Sequence, residues 1–353
     1  MIKGLLRDKD INLALACGDS TQVENIKKIF NTSYKGFSVP PIITFDRVEE
    51  NLSLFDAYYS PLYAIPEYIA KCESIVPYIF FYDLDPLVHS ENFPDSKDPN
   101  FWFTRLVDSL TSRCITFTCS DYTRYDFLKY LPHMLPERTF TTLLAADKSF
   151  HPCSSEQTIA SLEKYGLPTN KKYIFSLCNL QPRKNLIRVI RTFLAFIQKH
   201  KIDDMVFILG GAKWSTFEQE FADEMKKPEC AGKILHAGYI DDEDLAPLYS
   251  GAHWFVYTSS FEGFGLPPLE AMQCGCPVIT SNNTSLPEVV GDAGIMIDWD
   301  SDEQHIAAYE EYYFDEDKRI NMKKKGIARS KTFSWEKCVQ IMTDEMKKNK
   351  KLD

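Results

Sequence analysis

No stretch of about 20 consecutive apolar residues occurs in this sequence, so it offers no membrane-spanning helix. Its opening residues lack the basic-then-apolar pattern of a secretory signal, and a cytoplasmic setting is expected. No CxxC pair occurs among the ten cysteines. Cys274 and Cys276 flank a single residue inside an apolar pattern, where packing is their expected role. Reduced thiols are expected, rather than a disulfide framework or a zinc site. Positive charge is in deficit, with 40 Lys and Arg against 50 Asp and Glu and a net charge of −10. That excludes the basic footprint a nucleic acid requires. Internal repeats are absent, and so is an aspartate cluster of a metal-binding kind. What is present is ordinary globular composition, 44% hydrophobic and 13% aromatic. A chain of 353 residues is too long for one small core, and two domains are expected. The C-terminal region is locally basic: Lys318-Arg319, Lys323-Lys324-Lys325, Lys347-Lys348 and Lys350-Lys351. A solvated helix face is the first reading of these residues, and weak peripheral docking to anionic lipid the second.

The most informative stretch runs from Trp254 to Asp292. The apolar run Trp254-Phe255-Val256-Tyr257 reads as a buried parallel strand. A polar loop follows, Ser259-Ser260-Phe261-Glu262-Gly263-Phe264-Gly265. Pro267 and Pro268 then open a helix, where a missing amide hydrogen costs nothing, and Gly275 is placed to end it. A second apolar strand starts at Pro277. This is a βαβ unit, and its loop lies at the C-terminal edge of a parallel sheet, where such sheets bind ligands. Gly263 and Gly265 let the backbone approach a ligand with positive φ. The unpaired amides at the helix start favour an anion. Glu262 and Glu270 would repel phosphate but suit hydroxyl groups. A diphosphate flanked by two polyols, a nucleotide sugar, fits all of this. A βαβ loop whose glutamates only cap the helix fits the spacing equally well.

The run F-E-G-F-G-L-P-x-L-E-A-M-x-x-G-x-P-V-I, with its glutamates eight positions apart, resembles the signature of retaining glycosyltransferase family 4, which has the GT-B fold. The resemblance implies that Glu262 contacts donor-sugar hydroxyls and that Glu270 holds the ribose. It implies that the amides of Gly263, Phe264, Gly265 and Leu266 hold the diphosphate. Earlier, the strand Tyr173–Leu177 runs into Asn179-Leu180-Gln181-Pro182-Arg183-Lys184-Asn185. Two cations at a helix start oppose the helix dipole and make sense if a diphosphate lies there. The family reads E-P-R-K-N here, so Arg183 and Lys184 match its diphosphate clamp, with Gln181 replacing the usual Glu. The loop around Tyr239 and Ile240 matches the segment that packs on the base through its backbone. Val76 to Tyr82 reads as a buried strand running into Asp83-Leu84. Many family members carry His-Asp-Leu at its end. Here Tyr82 takes the His position, and a phenol with pKa near ~10 is a poor proton acceptor at neutral pH. Asp83 is the expected contribution of the N-terminal side, with His89 a few residues on.

Other segments extend the pattern. Asp10–Cys17 reads as an early strand, 22–30 as a helix and Leu54–Tyr58 as a short strand. Tyr58, Tyr59, Tyr63 and Tyr68 are packing residues first and sugar-stacking candidates second. The family opens with a strand and a glycine-rich loop, whereas this chain starts at residues resembling the tail of the first helix, so that strand and loop are expected to be missing. Thr332-Phe333-Ser334-Trp335-Glu336 resembles the F-S-W motif before a last helix that crosses back to the N-domain.

The expected fold is therefore α/β, GT-B, with two Rossmann-like domains facing across a cleft. Residues 1–165 form the acceptor side, 166–332 the nucleotide-sugar side and 333–353 the returning helix. The expected reaction moves a hexose of mannose, rhamnose or glucose type from a nucleoside diphosphate sugar, GDP- or UDP-linked first, to a hydroxyl of a glycan, lipid-linked or protein acceptor. Retention, no metal and no bound cofactor are expected, at the inner face of the membrane if the basic residues dock there. The alternatives are a catalytically impaired nucleotide-sugar-binding or scaffold subunit, and a GT-B phosphorylase or synthase. Base, sugar, linkage and oligomeric state are not readable from the sequence.

Overall fold

The computed structural model describes residues 1–211 and 218–349. The chain forms two compact units, residues 1–143 together with the segment from Trp335 on, and Leu144–Ser334.

In the first unit, β1 (Leu15–Cys17) and β2 (Ile42–Thr44) pair in parallel as a small separate sheet. The expected strand from Asp10 is shortened, because the Asp10 amide donates to the Asp8 carboxylate at 3.0 Å and the Ile11 amide to the Asp8 carbonyl at 3.3 Å. The helix expected at 22–30 runs over Ser20–Ser33, started by Asp19, whose carboxylate accepts the Thr21 and Gln22 amides. A second, four-stranded parallel sheet follows in the order β3 (Ala57–Ser60), β4 (Val76–Phe81), β5 (Ile115–Thr118), β6 (Thr139–Thr141). The strand expected at Leu54–Tyr58 starts later, since Leu52–Leu54 closes a 3₁₀ turn in which the Phe55 amide bonds the Leu52 carbonyl. β4 is buried along nearly its whole length, with Ile79 and Phe81 packed against Phe103, Leu106 and Phe127 from helices Trp102–Asp108 and Asp121–Tyr130. Ser120 caps the second of these helices, its hydroxyl accepting the Thr123 amide at 2.9 Å. Of the four tyrosines considered for sugar stacking, Tyr58, Tyr59 and Tyr68 are partly buried and Tyr63 is exposed.

The second unit holds six parallel strands in the order β9 (Ile234–Gly238), β8 (Met205–Gly210), β7 (Lys172–Leu177), β10 (Trp254–Tyr257), β11 (Val278–Ser281), β12 (Gly294–Ile297). Winding goes outward from β7 to β9, returns, and continues outward from β10 to β12. Helix Leu186–His200 lays Leu186, Val189, Ile190, Phe193 and Phe196 on one face, and that stripe covers the sheet. Trp254 lies in the same core, stacked on Tyr309 at 5.9 Å.

The domain limits differ from those expected at 165/166 and 332/333. Residues 144–165 belong with the second unit, because helix Ser155–Lys164 is tied to helix Asp242–Gly251. Ser161, Lys164 and Tyr165 donate to the carboxylate of Asp244 at 2.8, 2.6 and 3.0 Å. Phe333 also stays with the second unit, against Phe264 and Arg329. From Trp335 the last helix, Trp335–Lys348, groups with the first unit: Glu345 accepts from Tyr78, and Lys347 pairs with Asp8 and Asp10. Carboxylates neutralise much of the basic C-terminal region, through Lys318–Glu311, Lys325–Asp292 and Lys348–Glu345. Lys350 and Lys351 lie outside the described residues. Among the described residues, no helix is long and apolar enough to cross a membrane.

Candidate functional site

The strand order reverses between β7 and β10, and parallel sheets of this winding take ligands at the carboxyl ends of the strands flanking that point. Two loops meet there. After β7, Pro182–Lys184 make one 3₁₀ turn, which ends at Asn185 in the left-handed region (φ 59°), one of the few side chains at ease there. After β10 comes the loop 258–265. The Arg183 carbonyl joins them, accepting the Ser260 amide at 2.8 Å and the Ser259 hydroxyl at 2.9 Å. In return, Arg183 Nη1 donates to the Phe261 carbonyl at 2.7 Å, and its Nε donates to Gln181 Oε1 at 3.0 Å.

This stitching turns Lys184 inward, where it is 9% exposed. Its Nζ lies 2.5 Å from both the Tyr257 hydroxyl and Glu262 Oε1. Arg183 Nη1 reaches the same Oε1 at 3.2 Å, and Tyr257 donates to it at 2.9 Å. Burial pushes the Glu262 carboxyl up, but Lys184 and Arg183 outweigh it and hold the group below the usual carboxylate range. Arg183 and Lys184 thus converge on the single carboxylate of Glu262. Two cations gathered just before a helix start suit an anionic ligand better than they suit the helix.

Helix Leu266–Gln273 starts beside the cluster, with Gly265 as its N-cap residue. Among the described residues, the amides of Phe264, Gly265 and Leu266 donate to no backbone carbonyl. The loop is held from below. Ser285 Oγ donates to the Glu262 and Phe264 carbonyls at 3.0 and 2.8 Å, Asn283 donates to the Ser260 carbonyl at 2.7 Å, and Thr284 Oγ1 accepts the Glu262 amide at 3.3 Å. Gly265 sits at φ 116°, and a Cβ there would lie 2.7 Å from Cδ2 of the fully buried Leu286. A Gly265→Ala chain should lose about 1–3 kcal/mol of stability, read from its urea midpoint. An unchanged midpoint would mean that the loop relaxes freely.

Glu270 lies one turn into the same helix and accepts from the Tyr249 hydroxyl at 3.1 Å. Burial raises its carboxyl to about 7; the Tyr249 hydrogen bond opposes the shift and Asp242 adds to it. Neither glutamate caps the helix, since Glu262 is bound to Lys184 and Glu270 to Tyr249. The reading in which they serve only as caps therefore does not describe the fold.

Tyr239 is exposed and Ile240 buried, directly after Gly238, whose carbonyl accepts the Gly211 amide at 2.8 Å. Asp83 belongs to the first unit, in the turn after β4, where its Oδ1 accepts the Asp85 amide at 3.1 Å. Tyr82 beside it is 37% exposed, with its hydroxyl pushed above the usual range by burial. His89 bonds Asp85 at 2.9 Å. Within the second unit, the structure brings together Arg183, Lys184, Glu262 and the glycine loop. Among the described residues, no cluster of three or more His, Cys, Asp or Glu side chains is placed to hold a metal. Sequence reasoning missed Tyr249, Tyr257, Thr284 and Ser285. Tyr257 read there as part of an apolar strand, with only its hydroxyl at the end of a site strand to hint otherwise, and Tyr249 carried no signal.

Residues 158–329 match the family described as Glycosyl transferases group 1. The chain is 31% identical over 281 residues to an O-antigen chain mannosyltransferase B of Escherichia coli, covering 80% of this chain and 71% of that one. It is 29% identical over 263 residues to the serotype-specific mannosyltransferase WbdA of the same species, spanning 72% of this chain but only 31% of that relative. Among solved structures, a glycosyltransferase from Rickettsia africae superposes with a TM-score of 0.72 at 14% identity, covering 96% of this chain and 90% of that one. Anabaena HepE, solved in complex with UDP and glucose, gives a TM-score of 0.72 at 14% identity over 95% and 99% of the two chains. The structural likeness identifies the fold as GT-B.

Proposed function

The chain belongs to the group 1 glycosyl transferases, and on that premise we propose that it transfers a hexose, mannose first among the candidates, from a nucleoside diphosphate sugar to a hydroxyl of a growing glycan. The observation that carries this reading is the Arg183–Lys184–Glu262 cluster beside the amides of Phe264, Gly265 and Leu266, which among the described residues donate to no backbone carbonyl. In it the diphosphate sits against the helix start and the two cations, which neutralise the charge that builds on the leaving group. Those cations make a metal unnecessary. Glu262 presents its carboxylate to the sugar hydroxyls, and Glu270 accepts from the ribose. The backbone near Tyr239 and Ile240 lies along the base. Asp83 serves the acceptor side.

The bond from the anomeric carbon to the diphosphate oxygen breaks as the bond to the acceptor oxygen forms on the same face. The leaving phosphate takes the acceptor's proton, so a tyrosine at position 82 is no obstacle. Mannose leads because the O-antigen relatives are named mannosyltransferases. A lipid-linked or protein-borne glycan at the inner face of the membrane completes the proposal. Incubation with GDP-mannose and mannoside acceptors, followed by NMR of the product, tests it. An α-linked product supports retention, and a β-linked product overturns it.

The proposal also fixes a pH dependence. Ionised Glu270 accepts two ribose hydroxyls, so donor affinity should rise as pH passes upward through about 7. Stability runs the other way. The folded carboxyl titrates above the ordinary value of about 4.3, so its contribution to stability is full below that value and is lost as pH rises through about 7. Relative to wild type, Glu270→Gln should flatten both the affinity profile and the decline in melting temperature between pH 5 and 8. Parallel profiles would contradict the assignment.

A further inference from the structure

Tyr249 and Tyr257 stand on one aromatic cluster. The Phe255 ring lies 5.2 Å from Tyr249 and 6.0 Å from Tyr257, and Phe175 lies 5.3 Å from Tyr249. In β10, Trp254 and Val256 face the core under helix Leu186–His200, so Phe255 and Tyr257 face the opposite side of the sheet. Both tyrosines are buried, at 0% and 4% exposure. Packing alone would be met by phenylalanine, and a buried phenol is tolerated only with a partner for its hydroxyl. Each hydroxyl finds one, and each partner is a different candidate donor-binding glutamate. Tyr249 donates to Glu270 Oε2 at 3.1 Å. Tyr257 donates to Glu262 Oε1 at 2.9 Å while accepting from Lys184 at 2.5 Å.

We propose that Tyr249 and Tyr257 are positioning residues that set the two glutamates separately: Tyr249 fixes Glu270 for donor binding, and Tyr257 fixes Lys184 and Glu262 at the reacting end. This rests on the transfer reading of the same site. The rings are packed and have only two torsions each, so their hydroxyls are fixed points from which the longer Glu and Lys chains are aimed. Among the described residues, Glu270 has no other side-chain hydrogen-bond partner, and without Tyr249 its carboxylate is free to rotate. Lys184 divides its hydrogen bonds between a phenol and a carboxylate. Without the phenol, Glu262 is its one remaining side-chain partner among the described residues, and the ammonium is no longer held between two points.

Tyr249→Phe and Tyr257→Phe preserve the ring packing and remove one hydroxyl each. The probe is GDP-mannose, with calorimetric binding and donor hydrolysis measured alongside melting temperature. Tyr249→Phe is expected to weaken GDP-mannose binding about tenfold with little change in kcat. Tyr257→Phe is expected to lower kcat about tenfold with little change in affinity. Melting temperatures should stay within about 3 °C of wild type. Two variants with unchanged binding and turnover overturn the proposal. So do two variants that lose both quantities together with a large drop in melting temperature or a failure to fold, since the tyrosines would then be structural. A wild-type chain that neither binds nor hydrolyses any of GDP-mannose, UDP-glucose, dTDP-rhamnose and ADP-glucose overturns the transfer reading itself, and this inference with it.

Discussion

Lys184→Ala is expected to lower kcat by about 10²–10³-fold, the range lost when one preorganised charge-stabilising donor is removed from a reacting centre. The site would lose the more deeply buried of the two cations that meet Glu262. The fold should survive. Glu262 would keep Arg183 at 3.2 Å and the Tyr257 hydroxyl at 2.9 Å, so no buried carboxylate is left bare. Lys184→Arg should not restore the rate. The ammonium sits in a closed slot between a phenol and a carboxylate, and a planar guanidinium is not interchangeable with it there. Steady-state turnover of GDP-mannose by both variants checks this. Loss of less than fivefold in the alanine variant would remove Lys184 from leaving-group stabilisation.

Glu262→Ala should behave differently, costing stability as well as activity. It leaves two cations facing each other, one of them almost fully buried, without the carboxylate that balances them. Breaking a buried pair by removing one partner costs about 3–5 kcal/mol. Arg183 is the more exposed of the two cations, so the lower end applies. The double variant Lys184→Met/Glu262→Gln removes both charges and should recover most of that stability while remaining inactive. Chemical denaturation of wild type, Lys184→Met, Glu262→Gln and the double forms a cycle that checks this. Additive losses would mean that the two groups do not interact in solution. Added GDP should also raise the melting temperature of Glu262→Ala, because its diphosphate supplies the missing negative charge.

The second unit was legible in the sequence because its signals are local. β10, the proline-opened helix and the glycine at its end follow one another within about 25 residues, and each carries its own turn chemistry. Arg183 and Lys184 stood out because cations at a helix start make no sense for the helix itself. The sequence could not show that Glu262 would reach across to them, since that contact spans 78 positions and depends on strand order. The early part of the chain was less legible. Its strands are three or four residues long, and a single backbone bond at Asp8 or Leu52 moves their starts by several residues. The boundary near 143 was invisible because helix Ser155–Lys164 looks like linker-side structure until Asp244, 80 residues later, is seen to bind it. Tyr249 and Tyr257 were hidden by their surroundings: inside an apolar pattern, a phenol reads as a ring.

The central claim is that the site between β7 and β10 holds a nucleoside diphosphate sugar. Calorimetric titration of wild type and Glu270→Ala with GDP-mannose, then with UDP-, dTDP- and ADP-sugars, tests it most directly. The account predicts micromolar binding of one donor by wild type and at least a tenfold loss in the variant. Binding that is equally tight in both proteins, or none with any donor, would contradict it.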